Sequence, residues 1–321
     1  MRMKRTRLTG ILRKTLPVTE KFKDMDHALR DERHSSSTVR DDRHRIFGIV
    51  WISINILFLI FLLVSMYAVG WEYSTRRYLK GFSDAVIPAQ STPQDEIKAI
   101  LDWMAHGPAR LPAGPIANTP DRDPTDTLNY KSLLAVCGTA TNAFINLAYS
   151  GGLSVRRLLL LGPDHGTRHV VAEVHIGDRW IVVDPTFRTI LRGADGDFLT
   201  RQELADAAIF AAATKNIPNY DSDYTYNRTA HVHLSRMRFI GRPLRIVLDH
   251  ILPGWEDSAT MSLLLERRSF AIMTISIFFL LIIILLRIAI RWYGESKLGV
   301  RFVHLRTQFH RAAQAFLDTS R

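Results

Sequence analysis

The chain has 321 residues, is 47% hydrophobic and carries a net charge of +11. The charge is uneven: residues 1–45 hold 13 Lys+Arg against 7 Asp+Glu, residues 291–321 hold 6 against 2, and residues 70–268 are balanced at 22 against 22. A basic excess confined to the two tails leaves no basic folded domain, which excludes nucleic acid as a partner, and a single cysteine, Cys137, excludes an intrachain disulfide.

Residues 1–45 mix both charge signs, include Ser35, Ser36 and Ser37, and show no sustained periodicity, so they read as a basic, solvated cytoplasmic tail. Residues 46–70 contain no charge and are long enough to cross a hydrocarbon core of about 30 Å as a helix. The preceding tail is too long, and the apolar run too extended, for a cleaved signal peptide, so this is a signal anchor. Residues 269–290 form a second apolar run whose one charge, Arg287, lies near its end and can snorkel to the headgroups. Trp51, Tyr67, Trp71 and Tyr73, then Trp292 and Tyr293, stand where interfacial aromatic belts would fall. Positive flanks stay in the cytoplasm, so both termini are expected inside, with residues 71–268 as one extracytoplasmic domain between the spans. An unpaired thiol in such an oxidising compartment favours a functional cysteine over an inert one.

Within that domain, Thr92-Pro93 is a helix start, and Ile97, Ile100, Leu101 and Met104 share one helical face. Residues 107–127 carry Pro108, Pro112, Pro115, Pro120 and Pro124, which bars a helix or central strand there. The stretch is a surface connector or a loop bordering a substrate groove. Residues 138–150 repeat Ala140, Ala143, Phe144, Leu147 and Ala148 at three- and four-residue steps and stop at Gly151-Gly152. Cys137 therefore falls at a helix N-terminus, where backbone N–H groups and the helix dipole favour thiolate and also suit an oxyanion. The N–H groups of Cys137 and Gly138 are the oxyanion candidates, and Asn129 or Tyr130 are candidates for a further donor.

Val155–Leu161 is a short apolar strand. His169–Ile176 and Arg179–Asp184 alternate about Gly177-Asp178, a hairpin signal. A two-residue loop pairs Ile176 with Arg179, which sets Val171 opposite Asp184 and puts His169 and Asp184 on one sheet face, as diagonal neighbours. Val170, Ala172, Val174, Ile176, Ile181 and Val183 form the opposite, core face, so the helix from Cys137 is expected against the His169/Asp184 face. Glu173 shares that face as an exposed or paired residue, while His165 and His175 have no matching carboxylate.

Further on, Thr200 and Glu203 form a capping box before Leu204, Ala207, Ala208 and Ala211, a helix. Residues 218–230, with Tyr220, Tyr224 and Tyr226, read as a polar surface loop or a groove wall. Asn227-Arg228-Thr229 matches a short sequon, and His231-x-His233 lacks a third ligand at metal spacing. Residues 243–252 dock on the membrane surface or on the domain. The tail from Val300 to Leu317 sets Phe302, Leu305, Phe309, Ala313 and Phe316 at near-helical spacing among arginines, a basic amphipathic helix for the inner membrane surface or a partner protein.

Cys137-Gly138 opening a helix, His169-Val170-Val171-Ala172-Glu173-Val174 on a strand and Trp180-Ile181-Val182-Val183-Asp184-Pro185-Thr186 on the next together resemble the transglutaminase-like superfamily, related to the papain fold by circular rearrangement. The resemblance covers about residues 130–190. It implies an α+β core, a cysteine helix packed on an antiparallel sheet, here inserted between two transmembrane helices. It also implies Cys137 as nucleophile, His169 as general acid/base and Asp184 as the group orienting the imidazole, with no metal or organic cofactor. The expected protein is a membrane-anchored cysteine acyl transferase or hydrolase on a protein, peptide or envelope-polymer substrate, two-pass in a bacterial inner membrane with its domain in the periplasm. The alternative is an interaction module in an envelope or polysaccharide assembly complex, with partners met through the membrane helices and C-terminal tail. A redox-sensing thiol ranks last, since it needs neither histidine nor aspartate.

Overall fold

The computed structural model describes residues 18–107, 123–129, 132–232 and 241–300. Residues 1–17, most of the proline-rich stretch, Tyr130, His233 and the C-terminal amphipathic stretch from 301 lie outside the described residues. The chain divides into two compact units, residues 1–60 with 281–321, and residues 61–280.

The first unit holds the N-terminal part of α1 (Val18–Val86) and the C-terminal part of α8 (Arg268–Lys297). Residues Arg43–Val86 and Arg268–Lys297 are two helices long and apolar enough to cross a membrane. Ile46, Ile49, Ile52 and Ile56 on α1, and Leu285 and Ile288 on α8, are exposed, an arrangement that suits a lipid environment and wastes apolar surface in water. Phe47 lies so close to Gly294 that any Cβ there would collide with its ring. Arg287 places its guanidinium over the rings of Phe58 at 4.4 Å and Trp51 at 5.7 Å.

The second unit begins with the rest of α1. Its last turns bury Leu79 and Phe82 in a core shared with Ile97, Ile100, Leu101 and Met104 of α2 (Pro93–His106). Thr92 caps α2 reciprocally with Asp95, and Pro93 occupies the first turn, where no N–H partner is needed. At the end of the proline-rich stretch, Pro124 opens a single helical turn, α3 (Pro124–Thr127), capped by Asp123. The stretch therefore does contain a helix, because a proline in the first turn presets φ instead of breaking the helix. A 3-10 turn, Leu133–Ala135, leads into α4 (Cys137–Gly151), which ends at Gly152 with φ 110°.

Next come β1 (Val155–Leu161), β2 (Thr167–Ile176), β3 (Arg179–Asp184) and β4 (Thr189–Ile190). A 3-10 turn (Glu203–Ala205), α5 (Ala207–Thr214) and β5 (Thr229–Ala230) follow, giving one antiparallel sheet of order β4-β3-β2-β1-β5. Ile176 pairs with Arg179 across a turn whose Gly177 has φ 63°, the register the two-residue loop dictates. The Thr200–Glu203 box caps only the 3-10 turn; α5 is capped by Asp206 and buries Phe210, while Ala207, Ala208 and Ala211 stay exposed. The chain continues through α6 (Gly241–Ile251), a turn at Trp255–Asp257 and α7 (Ala259–Glu266) to α8.

Each face of the sheet has its own core. Val155, Ala172, Val174, Ile181 and Val183 pack with Ala140, Ala143, Phe144 and Leu147 of α4, while Leu158, Leu160, Val171 and Val182 pack with Leu191, Leu199, Leu204, Phe210 and Tyr226. This corrects the expectation that α4 covers the face of His169. An apolar helix stripe gains most against the apolar sheet face, at roughly 25 cal/mol per Å² removed from water, and only its N-terminal tip needs to approach the imidazole.

Leu79→Ala is expected to destabilise the chain by about 2–5 kcal/mol, the range for truncating a fully buried leucine, whereas Leu63→Ala, at an exposed position, should change it by less than about 0.5 kcal/mol. Thermal unfolding of the full chain in micelles checks whether the end of α1 belongs to the folded domain.

Candidate active site

Cys137 is the first residue of α4, and the preceding Val136 provides no side-chain cap. The first-turn N–H groups are thus left for other partners, a setting that stabilises negative charge. The sulfur is half-buried and lies where the Gly138 and Val170 N–H groups act on it. Val170 is free to do so because the β2–β3 ladder ends at Ala172–Val183, before Pro185. Thr141 Oγ1, one turn into α4, donates to the Val170 carbonyl at 2.9 Å and fixes the helix tip against β2.

His169 enters the site beside an irregularity in β2. Leu160 pairs with His169 but Leu161 pairs with Thr167, so Arg168 is the extra residue of a bulge. A bulge bends the strand and re-aims the side chains beside it. His169 Nε2 lies 2.7 Å from Asp184 Oδ2, and both residues are buried. The other carboxylate oxygen of Asp184 accepts from the Thr186 and Phe187 N–H groups at 3.0 and 3.3 Å. With Nε2 engaged, Nδ1 is the nitrogen left for the thiol; it has no other hydrogen-bond partner. Catalytic contacts are often loose before substrate binds.

The charges reinforce one another. Burial pushes the Cys137 thiol up, but the neighbouring His169 imidazole, with the Val170 and Gly138 N–H groups, brings it below its ordinary value. Burial pulls His169 down, yet the hydrogen bond to Asp184 and the negative charges of Asp184 and the neighbouring Cys137 raise it to about 9. Both shifts run in the direction that favours charge on these two groups.

Aromatic rings enclose this pair. Tyr224 stacks on the His169 ring with centroids 4.2 Å apart and planes 6° from parallel, and Phe187 and Tyr220 meet it edge-on at 5.9 and 6.3 Å. Tyr226 is buried behind Tyr220. Of the two readings the sequence offered for this segment, the groove wall is the one that Tyr220 and Tyr224 take beside His169.

Arg188 is a second residue that the sequence did not single out. Its guanidinium donates to the Pro185 carbonyl at 3.0 Å, to the Thr186 carbonyl, and to the Leu134 carbonyl at 2.7 Å. It braces the turn after Asp184 against the turn before Cys137, and it holds φ 53° to do so, a conformation uncommon outside glycine.

The remaining candidates fall elsewhere. Asn129 spends its amide on the Thr125 carbonyl. Glu173 is buried and paired with Arg156 and His231, each at 2.7 Å. His231 also meets Asp257 at 2.8 Å. His175 lies against Trp180 at 5.0 Å, and His165 is exposed. Among the described residues no group of three or more His, Cys, Asp or Glu is placed to hold a metal ion.

The structure thus brings together a cysteine at a helix tip, an imidazole beside a strand bulge and a buried carboxylate on the next strand. Residues 80–185 match the family model of the Transglutaminase-like superfamily, a stretch that holds Cys137, His169 and Asp184. No curated protein and no solved structure matches the chain.

Asp184→Asn should remove the charge that raises His169, lower the imidazole pKa, and so raise the thiol. Each unit of that rise cuts the thiolate fraction at neutral pH about tenfold, read as slower alkylation of Cys137 by iodoacetamide. Arg188→Ala should also slow alkylation, with the chain still folded by circular dichroism; unchanged rates would remove Arg188 from the site's framework.

Proposed function

We propose that the chain is a cysteine-dependent acyl transferase or hydrolase acting on amide or ester bonds at the extracytoplasmic face of a membrane. The observation that carries this reading is the position of Cys137 at an uncapped helix tip, opposite the free nitrogen of an imidazole whose other nitrogen is held by buried Asp184. An inert buried cysteine has no need of a polarised histidine, and a purely structural histidine has no need of a free buried nitrogen.

In the proposed reaction the Cys137 thiolate attacks the substrate carbonyl carbon, and the carbonyl electron pair moves to oxygen. The N–H groups at the start of α4, together with that of Val170, receive the oxyanion. Its collapse expels the amine or alcohol, which takes a proton from His169 Nδ1. Water or a second amine then attacks the thioester, His169 accepts its proton, and the thiolate leaves. Asp184 stays ionised and holds the ring. The aromatic wall limits water around the pair and strengthens its electrostatics.

The membrane placement rests on the two apolar helices and on the concentration of positive charge in the tails, which favours cytoplasmic termini and a domain outside. A bacterial inner membrane with a periplasmic domain is the proposed location. The alternative reading is an interaction module that uses the same groove; the half-buried position of Cys137 supports the catalytic reading over it.

The full chain in micelles, given a p-nitrophenyl ester, should gain the acyl mass on Cys137 with release of nitrophenol, and Cys137→Ala should gain none. Activity should rise with pH as the thiol ionises, below the ordinary thiol value, and fall again near pH 9 as His169 loses the proton that the leaving group needs. Absence of an acyl adduct on a Cys137 that still reacts with iodoacetamide would sink the catalytic reading.

A further inference from the structure

In the second unit, the apolar side of α6 is left largely uncovered among the described residues. On α6, Val247, Leu248 and Ile251 recur at helical spacing; Val247 and Ile251 are 49 and 64% exposed, and Leu252, just past the helix, is 54% exposed. Arg242, Arg245 and Asp249 occupy the other side, all exposed. A soluble surface helix does not leave its apolar stripe in water without a partner.

The location of α6 says what that partner is. Ile251, Leu252, Pro253 and Trp255 line a groove of about 470 Å³ together with Phe270 and Thr274, which belong to the first turns of α8. The level at which α8 begins is marked independently: Glu72 of α1 binds Ser269 at 2.7 Å and Arg267 at 3.2 Å, and Tyr73 beside it is 61% exposed. Buried polar pairs and an exposed tyrosine at one height are the signature of a headgroup region. The uncovered stripe of α6 therefore sits where α8 enters the proposed bilayer.

The helix is also rigidly tied to the domain. Trp255 Nε1 donates to Asp249 at 2.9 Å, and Arg245 pairs with Glu256 at 3.0 Å. Asp257, at the end of the same turn, reaches His231, which in turn bonds Glu173 on β2, the strand that carries His169.

We propose that α6 lies in the membrane interface with Val247, Leu248 and Ile251 immersed among the lipid headgroups and upper acyl chains, holding the catalytic domain in a fixed pose against the bilayer. The occupant of this face is lipid, and the pose directs the domain towards substrates at the membrane surface. The inference rests on the reading that α1 and α8 span a membrane.

Because Cys137 is the only cysteine, Cys137→Ser gives a background in which one introduced thiol reports one position. Val247→Cys, Ile251→Cys, Asp249→Cys and Leu281→Cys in the full chain would each carry an environment-sensitive fluorophore in vesicles of phosphatidylcholine and phosphatidylglycerol. Leu281 lies 11 residues beyond Phe270 on α8, about 16 Å deeper at 1.5 Å per residue. Probes at 247 and 251 should be blue-shifted and quenched by nitroxides near the headgroups, the probe at 249 should remain in water, and the probe at 281 should be quenched by nitroxides at the bilayer centre. If 281 is quenched at depth while 247 and 251 stay in water, the α6 proposal is overturned and the spans stand. If 281 also stays in water, the spanning reading falls and takes the α6 proposal with it.

Discussion

The contact on which the site depends is the 2.7 Å hydrogen bond between His169 and Asp184, two ionisable groups with almost no exposed surface. Burying an unpaired carboxylate is so costly that it would protonate or force the loop open. Asp184 avoids this by accepting two backbone N–H groups from its own turn as well as the imidazole. The carboxylate thereby organises three things together: the Pro185–Phe187 turn, the orientation of the histidine ring, and the charge that keeps this ring protonated. The thiolate is the last beneficiary, since an imidazolium beside it compensates for its partial burial.

Bringing these groups together needs devices at the ends of elements. Cys137 is at a helix tip, His169 beside a bulge, and Asp184 at the last residue of a strand whose ladder Pro185 cannot continue. End positions leave backbone groups unpaired, and the unpaired Val170 N–H becomes part of the sulfur's surroundings. They are also the positions most prone to shift, which is why the Arg188 brace between the two turns matters more than its distance from the sulfur suggests. Tyr224, stacked on the imidazole, closes the one side of the ring that neither strand covers.

The sequence alone carried the hairpin, because a two-residue turn fixes parity and parity fixes which side chains share a face. It also carried the start of α2 and the position of Cys137 at a helix tip, since capping and glycine stops are local chemistry. The assignment of α4 to a sheet face failed because parity orders residues within a sheet and says nothing about which layer covers which side. Arg188 and the Val170 N–H were invisible: one acts through carbonyls, which every residue has, and the other through a backbone group released by a strand end. The tyrosines were legible as one of two readings, surface loop or groove wall, but their contact with His169 was not, because it spans some fifty residues of chain.

The asparagines of α4 carry the argument one step further. Asn142 and Asn146 sit four residues apart on the side of the helix away from the sheet, both fully buried, in a segment whose apolar repeat drew all the attention. Their amides reach the Glu266 carbonyl, and Asn142 also meets the Glu266 carboxylate at 3.0 Å. Arg157 on β1 pairs with that same carboxylate, while Arg267 donates to Asn146 at 2.8 Å and to Glu72 at 3.2 Å. An apolar contact of equal area would tolerate sliding; a set of directional bonds among buried charges does not, because any displacement strands a charge without its partner. The helix that begins at Cys137 is thus locked in register to β1, to the end of α7 and to α1 at Glu72. Stability by itself would be served as well by leucines at these positions. What the polar set provides in their place is a single allowed axial position for α4, and the reach of Cys137 towards His169 depends on that position.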